Sequence, residues 1–224
     1  MHCLKNILLP GSKFLLTALL LFTCHVYGEE YQWEKVKDKN SIEIFTRPVN
    51  GSRIKECLAV TMMRGRLSSV LAVFNDTASY TRWMYRCSEA TLLLKKNSYE
   101  RIIYSVISSP WPVADRDIVV KSSLVHDRNT GVVTVTINGL PDYVAIKPGR
   151  VRMRGMNGCW VLEPRGNGWI KISYRIHSDP GGSLPDKLVN SSIVDIPYNT
   201  LYNLRKMAGQ YPYKDAVFQD IIEK

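Results

Sequence analysis

The sequence predicts an α+β protein in which a curved antiparallel sheet is wrapped around one long C-terminal helix. Three observations carry that reading. From Cys87 to Ser178, short apolar runs alternate with turn residues, as in an antiparallel meander. The last run separates two faces: Ile170, Ile172, Tyr174 and Ile176 alternate with Lys171, Ser173, Arg175 and His177, so one face is dry and the other wet. Beyond Asp179-Pro-Gly-Gly the apolar spacing changes to steps of three and four, through Leu184, Leu188, Ile193, Ile196, Leu201, Leu204 and Met207.

In chain order, the first segment is a leader. Lys5 and Lys13 precede an apolar run from Phe14 to Cys24, no acid occurs before Glu29, and Val26-Tyr27-Gly28 suits cleavage. Eleven apolar residues fall short of the roughly 20 that span a bilayer. An uncleaved anchor that includes Ile7 to Pro10, a lipoprotein signal ending at Cys24 and a buried first helix are the other readings. Residues 1–28 are expected to be a signal peptide and 29–224 one domain, without repeats or a linker. The protein is thus expected to be exported, to the periplasm in a bacterium or to the secretory lumen in a eukaryote.

Within the domain, residues 31–36 are predicted as a short helix and 42–46 as a strand. A second strand over 54–63 follows the hairpin signal Asn50-Gly51. Leu67, Val70, Leu71 and Phe74 fall at helical spacing, and a second helical piece is predicted over 78–85 with Tyr80 and Trp83. Strands are then expected over 91–94, 100–108, 118–125, 132–137, 151–153, 160–162 and 170–176. The terminal helix is expected over 184–208, kinked at Pro197 and stopped by Gly209. Curling the sheet around that helix buries both apolar faces, and the pattern leaves open whether the space between them is solid or hollow.

Composition narrows the chemistry. With 45% hydrophobic and 10% aromatic residues over 224 positions, the chain is neither disordered nor short of core. Thirty Lys and Arg against twenty Asp and Glu give +10, and removal of Lys5 and Lys13 with the leader leaves +8. Export excludes nucleic acid as a partner. Anionic head groups at a membrane surface then become the natural counterpart, at about 1 kcal/mol per basic residue, although charges scattered for solubility give the same total. Cys57, Cys87 and Cys159 are an odd set, so at most one disulfide forms. His126 and His177 lack metal-ligand spacing, and neither a Gly-x-Ser-x-Gly nucleophile motif nor a phosphate-cradling glycine loop is present.

Ser109-Pro-Trp-Pro-Val-Ala-Asp-Arg-Asp-Ile-Val resembles the Trp-Pro-x-x-x-Arg-Asp signature of the START family of lipid-transfer domains. Trp83 before the sheet, Gly158-Cys-Trp-x-Leu-x-Pro with Ile170-Lys-Ile-Ser-Tyr, and Asp179-Pro-Gly-Gly-Ser-Leu-Pro leading to Leu201-Tyr-Asn-Leu-Arg205 agree in order, over residues 31–215. The resemblance implies a helix-grip fold and a cavity for one lipid or sterol. It also implies a monomer without cofactor or metal that is not an enzyme. A helix-grip cyclase or hydrolase acting on a large apolar substrate is the alternative, and a protein-interaction adaptor a third.

Site residues follow from faces and resemblance together. Trp111, between two prolines, either folds onto the core or stands exposed at the cavity mouth. On the strand over 100–108 the face of Ile102, Tyr104 and Val106 is expected to wall the cavity, with Tyr104 hydrogen-bonding a ligand hydroxyl. Met153, Ile172 and Tyr174 are expected to join it from other strands. From the helix come Leu188, Ser192, Ile193 and Ile196. Ser192 either bonds its own i−4 carbonyl or serves the ligand. Arg116 is expected to tether its loop to a backbone carbonyl or the terminal helix, or else to meet a ligand head group, and Arg150, Arg152 and Arg154 to form a solvated row that could also dock anionic head groups.

Overall fold

The computed structural model describes residues 32–184 and 186–223, so the signal-peptide expectation for 1–28 lies outside the described residues. Ten strands occur among the described residues: β1 (Glu34–Lys39), β2 (Ile42–Val49), β3 (Ser52–Arg64), β4 (Cys87–Lys95), β5 (Glu100–Ile107), β6 (Asp115–His126), β7 (Val133–Gly139), β8 (Arg150–Arg152), β9 (Gly155–Pro164) and β10 (Trp169–Asp179). They form one sheet in the order β1-β2-β3-β10-β9-β7-β6-β5-β4, antiparallel throughout, with the short β8 pairing parallel to the start of β6. Helices α1 (Leu67–Asn75) and α2 (Tyr80–Trp83) lie between β3 and β4, and α3 (Asp186–Ala208) follows β10.

Every strand expected from alternation is present, most of them longer than the pattern suggested. The expected helix over 31–36 is instead β1. Its pairing with β2 closes through Asn40 and Ser41, both at positive φ (54° and 57°), the geometry of a type I′ hairpin turn. A six-residue helix would be marginal alone, whereas this strand gains a ladder and the Lys35–Glu43 ion pair. The helical piece near 78–85 is a 3₁₀ turn over Thr77–Ser79 running into α2.

The sheet's dry face and α3 share a core in which Ile42, Ile44, Leu67, Val70, Leu162, Ile172, Leu201 and Leu204 are fully buried. Trp160 of β9 and Tyr174 of β10 stack at 3.8 Å between ring centroids, and Phe74 of α1 lies 5.1 Å from Trp160. The start of α1 has no side-chain cap of its own. Glu223, near the chain's end, supplies one: its carboxylate accepts the N–H groups of Leu67 and Ser68, both at 2.8 Å. Such a charge at a helix N-terminus satisfies two orphan donors and opposes the dipole. The C-terminal segment thereby fixes α1, which walls the cavity described next. No helix among the described residues is long and apolar enough to cross a membrane.

Candidate functional site

Between the dry face of the sheet and the C-terminal helix lies a cavity of about 190 Å³. An apolar cavity of roughly 150 Å³ already admits benzene. Phe74, Tyr80 and Trp83 wall it from the α1–α2 side, Trp160 and Tyr174 from the sheet, and Ile193 and Ile196 from α3. The aromatic wall is held by its own packing, with Phe74 stacked on Trp83 at 5.7 Å and Tyr80 edge-on to it at 5.2 Å. Most of the wall is apolar; its polar side chains include the cations Lys55, Arg86, Arg101 and Arg116 and the hydroxyls of Ser105, Ser122, Ser192 and Thr200.

Of the residues expected from the sequence, Met153, Tyr174, Leu188, Ser192, Ile193 and Ile196 line this cavity. The Ser192 hydroxyl has no hydrogen-bond partner among the described residues; it is the neighbouring Ser191 hydroxyl that donates back to a carbonyl, that of Leu188 at 3.1 Å. Ile172 is fully buried in the solid core and is not part of the cavity wall. Trp111 is not core: it is 93% exposed, on the loop whose preceding residues Ser108, Ser109 and Pro110 line the cavity.

The face chosen on β5 needs correction. Arg101, Ile103, Ser105 and Ile107 face the cavity, while Ile102, Tyr104 and Val106 pack with Val119, Leu140 and Val144 on the other side of the sheet. The segment after β7 folds over that outer side, so β5 is buried on both faces and its alternation carries no mark of which is inner. Tyr104 is accordingly engaged elsewhere. Its hydroxyl donates to Asp117 Oδ2 at 3.2 Å and accepts from Arg150 Nη1 at 2.7 Å.

The arginine row is a second correction. Only Arg154 is a surface charge, with its side chain 67% exposed. Arg152 is buried beside the fully buried Asp117, Nε to Oδ1 and Nη2 to Oδ2 both at 2.9 Å. Its remaining donors reach the carbonyls of Pro141, Val144 and Ala145. Burial pushes the Asp117 carboxyl up, but hydrogen bonds and charge from Arg152, with the Tyr104 hydroxyl, outweigh this and hold it below the usual carboxylate range. Arg116 tethers as expected, to backbone carbonyls: it donates to those of Ala114, Pro180 and Gly181, joining the Trp111 loop to the segment that leads into α3.

Three cationic residues of the wall, Lys55, Arg86 and Arg101, escaped the sequence reading, and of these only Arg101 is buried. Arg101 is 9% exposed; Nη1 donates to the Phe74 carbonyl at 2.8 Å and Nη2 to Asn75 Oδ1. Burial lowers its pKa, with Tyr80 opposing. Tyr80 donates to the same carbonyl at 2.8 Å, and burial pushes its hydroxyl up to about 12 against the charge of Arg101. Only the face assignment of β5 could have revealed Arg101, and double burial hid it.

Cys57 and Cys87 also line the cavity, and with Cys159 they are free thiols. Burial, followed by Glu56, pushes Cys57 up to about 12; burial, against a backbone hydrogen bond, pushes Cys87 up to about 11. The thiolate is the reactive form. Both should therefore resist iodoacetamide at pH 7.5 in the folded protein while an unfolded control is alkylated, as read by intact mass; rapid labelling of either in the folded state would contradict their burial.

Comparison with known proteins agrees with this architecture. A family model described as the START domain matches residues 14–211. An uncharacterized protein of Pseudomonas aeruginosa is 32% identical over 176 residues, 79% of this chain and 86% of that protein. A crystal structure of a STAR-related lipid transfer protein from Xanthomonas axonopodis is 31% identical, covers 80% of this chain and 99% of its own, and superposes with a TM-score of 0.74. Human StAR-related lipid transfer protein 5, at 16% identity, shares the fold with a TM-score of 0.72 over 80% of this chain and 87% of its own.

Proposed function

The chain belongs to the START domain family, and we propose that it binds one lipid in its internal cavity and carries it through water without altering it. The observation that carries this reading is the cavity itself, whose walls combine a broad aromatic and aliphatic surface with a minority of polar groups. Such sparse polarity suits an apolar ligand whose orientation is fixed at one or two points. The driving force is ample, because each CH₂ removed from water is worth about 0.8 kcal/mol. A non-enzymatic role is supported by the wall's own groups, since both thiols are driven toward their protonated, unreactive forms. The similarity to a bacterial protein described as a STAR-related lipid transfer protein points the same way.

Exchange with a membrane takes place at the Trp111 loop in this reading. An indole between Pro110 and Pro112, exposed and next to cavity-lining residues, is the kind of side chain that settles at the bilayer interface. The net positive charge would draw the protein to anionic head groups. The leader supports action outside the cytoplasm, and in this reading the protein acts as a monomer.

Mass spectrometry of the natively purified protein tests the proposal, joined to transfer of a labelled lipid between vesicles. Roughly one lipid per chain and protein-dependent transfer are expected. Absence of any bound lipid, with no transfer above the rate of spontaneous exchange, would sink it.

A further inference from the structure

We propose that the ligand of this cavity is anionic, and that its carboxylate or phosphate head is held by Arg101 at the end of β5 remote from the Trp111 loop. The inference rests on the lipid-carrier reading and specifies the class of lipid. It begins with a charge that the protein leaves uncompensated. Arg101 is more than nine-tenths buried and lines the cavity, yet no carboxylate among the described residues forms an ion pair with it. The other two buried arginines are treated differently. Arg152 has Asp117 in a two-point pair, and Arg116 directs Nε and both terminal nitrogens to loop oxygens.

A buried guanidinium without a counter-ion is costly, because no partner charge offsets its desolvation. Two contacts steady it, the Phe74 carbonyl and Asn75 Oδ1. Phe74 lies in the last turn of α1, where unpaired carbonyls favour a cation. A guanidinium has five N–H donors, so these two contacts orient the group and leave most of its donors for a ligand. Planar donors of this kind match the oxygens of a carboxylate or phosphate. The neighbouring Tyr80 cannot serve as counter-ion, since burial keeps its hydroxyl protonated.

The position of Arg101 also sets the ligand's direction. Arg101, Ile103, Ser105 and Ile107 all face the cavity along β5, and six residues of strand extend about 20 Å. A head at Arg101 therefore places an apolar tail along Ile103 and Ile107, toward Pro110 and the exposed Trp111. An amphiphile entering at that loop would enter head first.

Delipidated full-length protein is titrated with palmitate, with hexadecyl phosphate and with hexadecanol, following the fluorescence of the wall tryptophans Trp83 and Trp160. The three probes carry sixteen carbons each and differ chiefly in the head, so affinity for the alcohol measures the cavity, the ratio measures the preference for an anionic head, and its change in a variant measures Arg101. We expect at least one anionic probe to bind about tenfold or more tightly than the alcohol, as a charge-assisted hydrogen bond warrants; which one does so separates a fatty acid from a phosphate monoester. Arg101→Gln, which removes the charge and keeps a neutral polar group, should abolish that preference. Equal binding of all three probes to the wild type would overturn the proposal while leaving the lipid reading intact, and needs no variant to fold. A preference that survives in Arg101→Gln would overturn it as well, leaving Arg101 only as the cap of α1. Failure of every probe to bind would refute the lipid-carrier reading and this inference together.

Discussion

Arg152→Ala should destabilise the protein by about 3–5 kcal/mol, the usual cost of removing one member of a buried ion pair. The reason is what remains behind: Asp117 is 0% exposed, and without Arg152 its carboxylate keeps only the Tyr104 hydroxyl and the more distant charge of Arg150. The carbonyls of Pro141, Val144 and Ala145 would also lose their donor, freeing the segment that covers the outer face of β5. At roughly 2–4 °C per kcal/mol for a domain of this size, the thermal midpoint should fall by about 10 °C. Replacing both partners, as Asp117→Leu with Arg152→Met, should cost less than either single change, because no buried charge is then unpaired. A single substitution that leaves the midpoint unmoved would show that the pair is not buried as described.

The same pair gives a pH signature with opposite signs in the two proteins. In the wild type the folded Asp117 lies below its unfolded value of about 3.9, so its contribution is present above that pH and is lost as pH falls through the folded pKa. In Arg152→Ala, burial is expected to dominate and raise the folded pKa. The variant should then lose stability as pH rises from about 4 toward neutrality. Denaturant midpoints at pH 4.5 and 7.5 separate the cases.

What could be read in the sequence depended on whether each face met one environment or two. β10 packs on one side only, so its alternation correctly placed Tyr174 toward the cavity. The helix residues Leu188, Ser192, Ile193 and Ile196 were legible for the same reason, since α3 has a single apolar stripe. β5 is buried on both sides, and there period two divides residues into faces without saying which is inner. That one ambiguity moved Ile102, Tyr104 and Val106 into the cavity and Arg101 out of it. The buried pair of Asp117 and Arg152 spans 35 positions in sequence, a distance at which an arginine among arginines looks like solvent-exposed charge. The Asn40-Ser41 turn lacks the glycine by which such hairpins are usually noticed, and the capping of α1 by Glu223 is a contact over 156 positions that local pattern cannot contain.

Trp111→Ala should slow lipid exchange with vesicles about tenfold or more while leaving stability within about 0.5 kcal/mol of the wild type. Two quantities set these sizes. At 93% exposure the indole makes little contact with the folded chain, so its loss creates no cavity of the kind that costs about 3–5 kcal/mol when a buried Trp is truncated. Moving an indole from water into a bilayer interface removes on the order of 100 Å² of apolar surface, worth about 2.5 kcal/mol, and that term exists only in the membrane-bound state. Trp111→Phe should keep most of the rate, because it retains a ring on the same prolines-flanked loop. Raising salt should slow exchange further in wild type and variant alike, since screening weakens the attraction of a positively charged protein to anionic vesicles independently of the indole. If Trp111→Ala exchanges lipid at the wild-type rate, the loop is not where the ligand leaves, and the mouth must be sought at the opposite end of β5, where the exposed Tyr99 also borders the cavity.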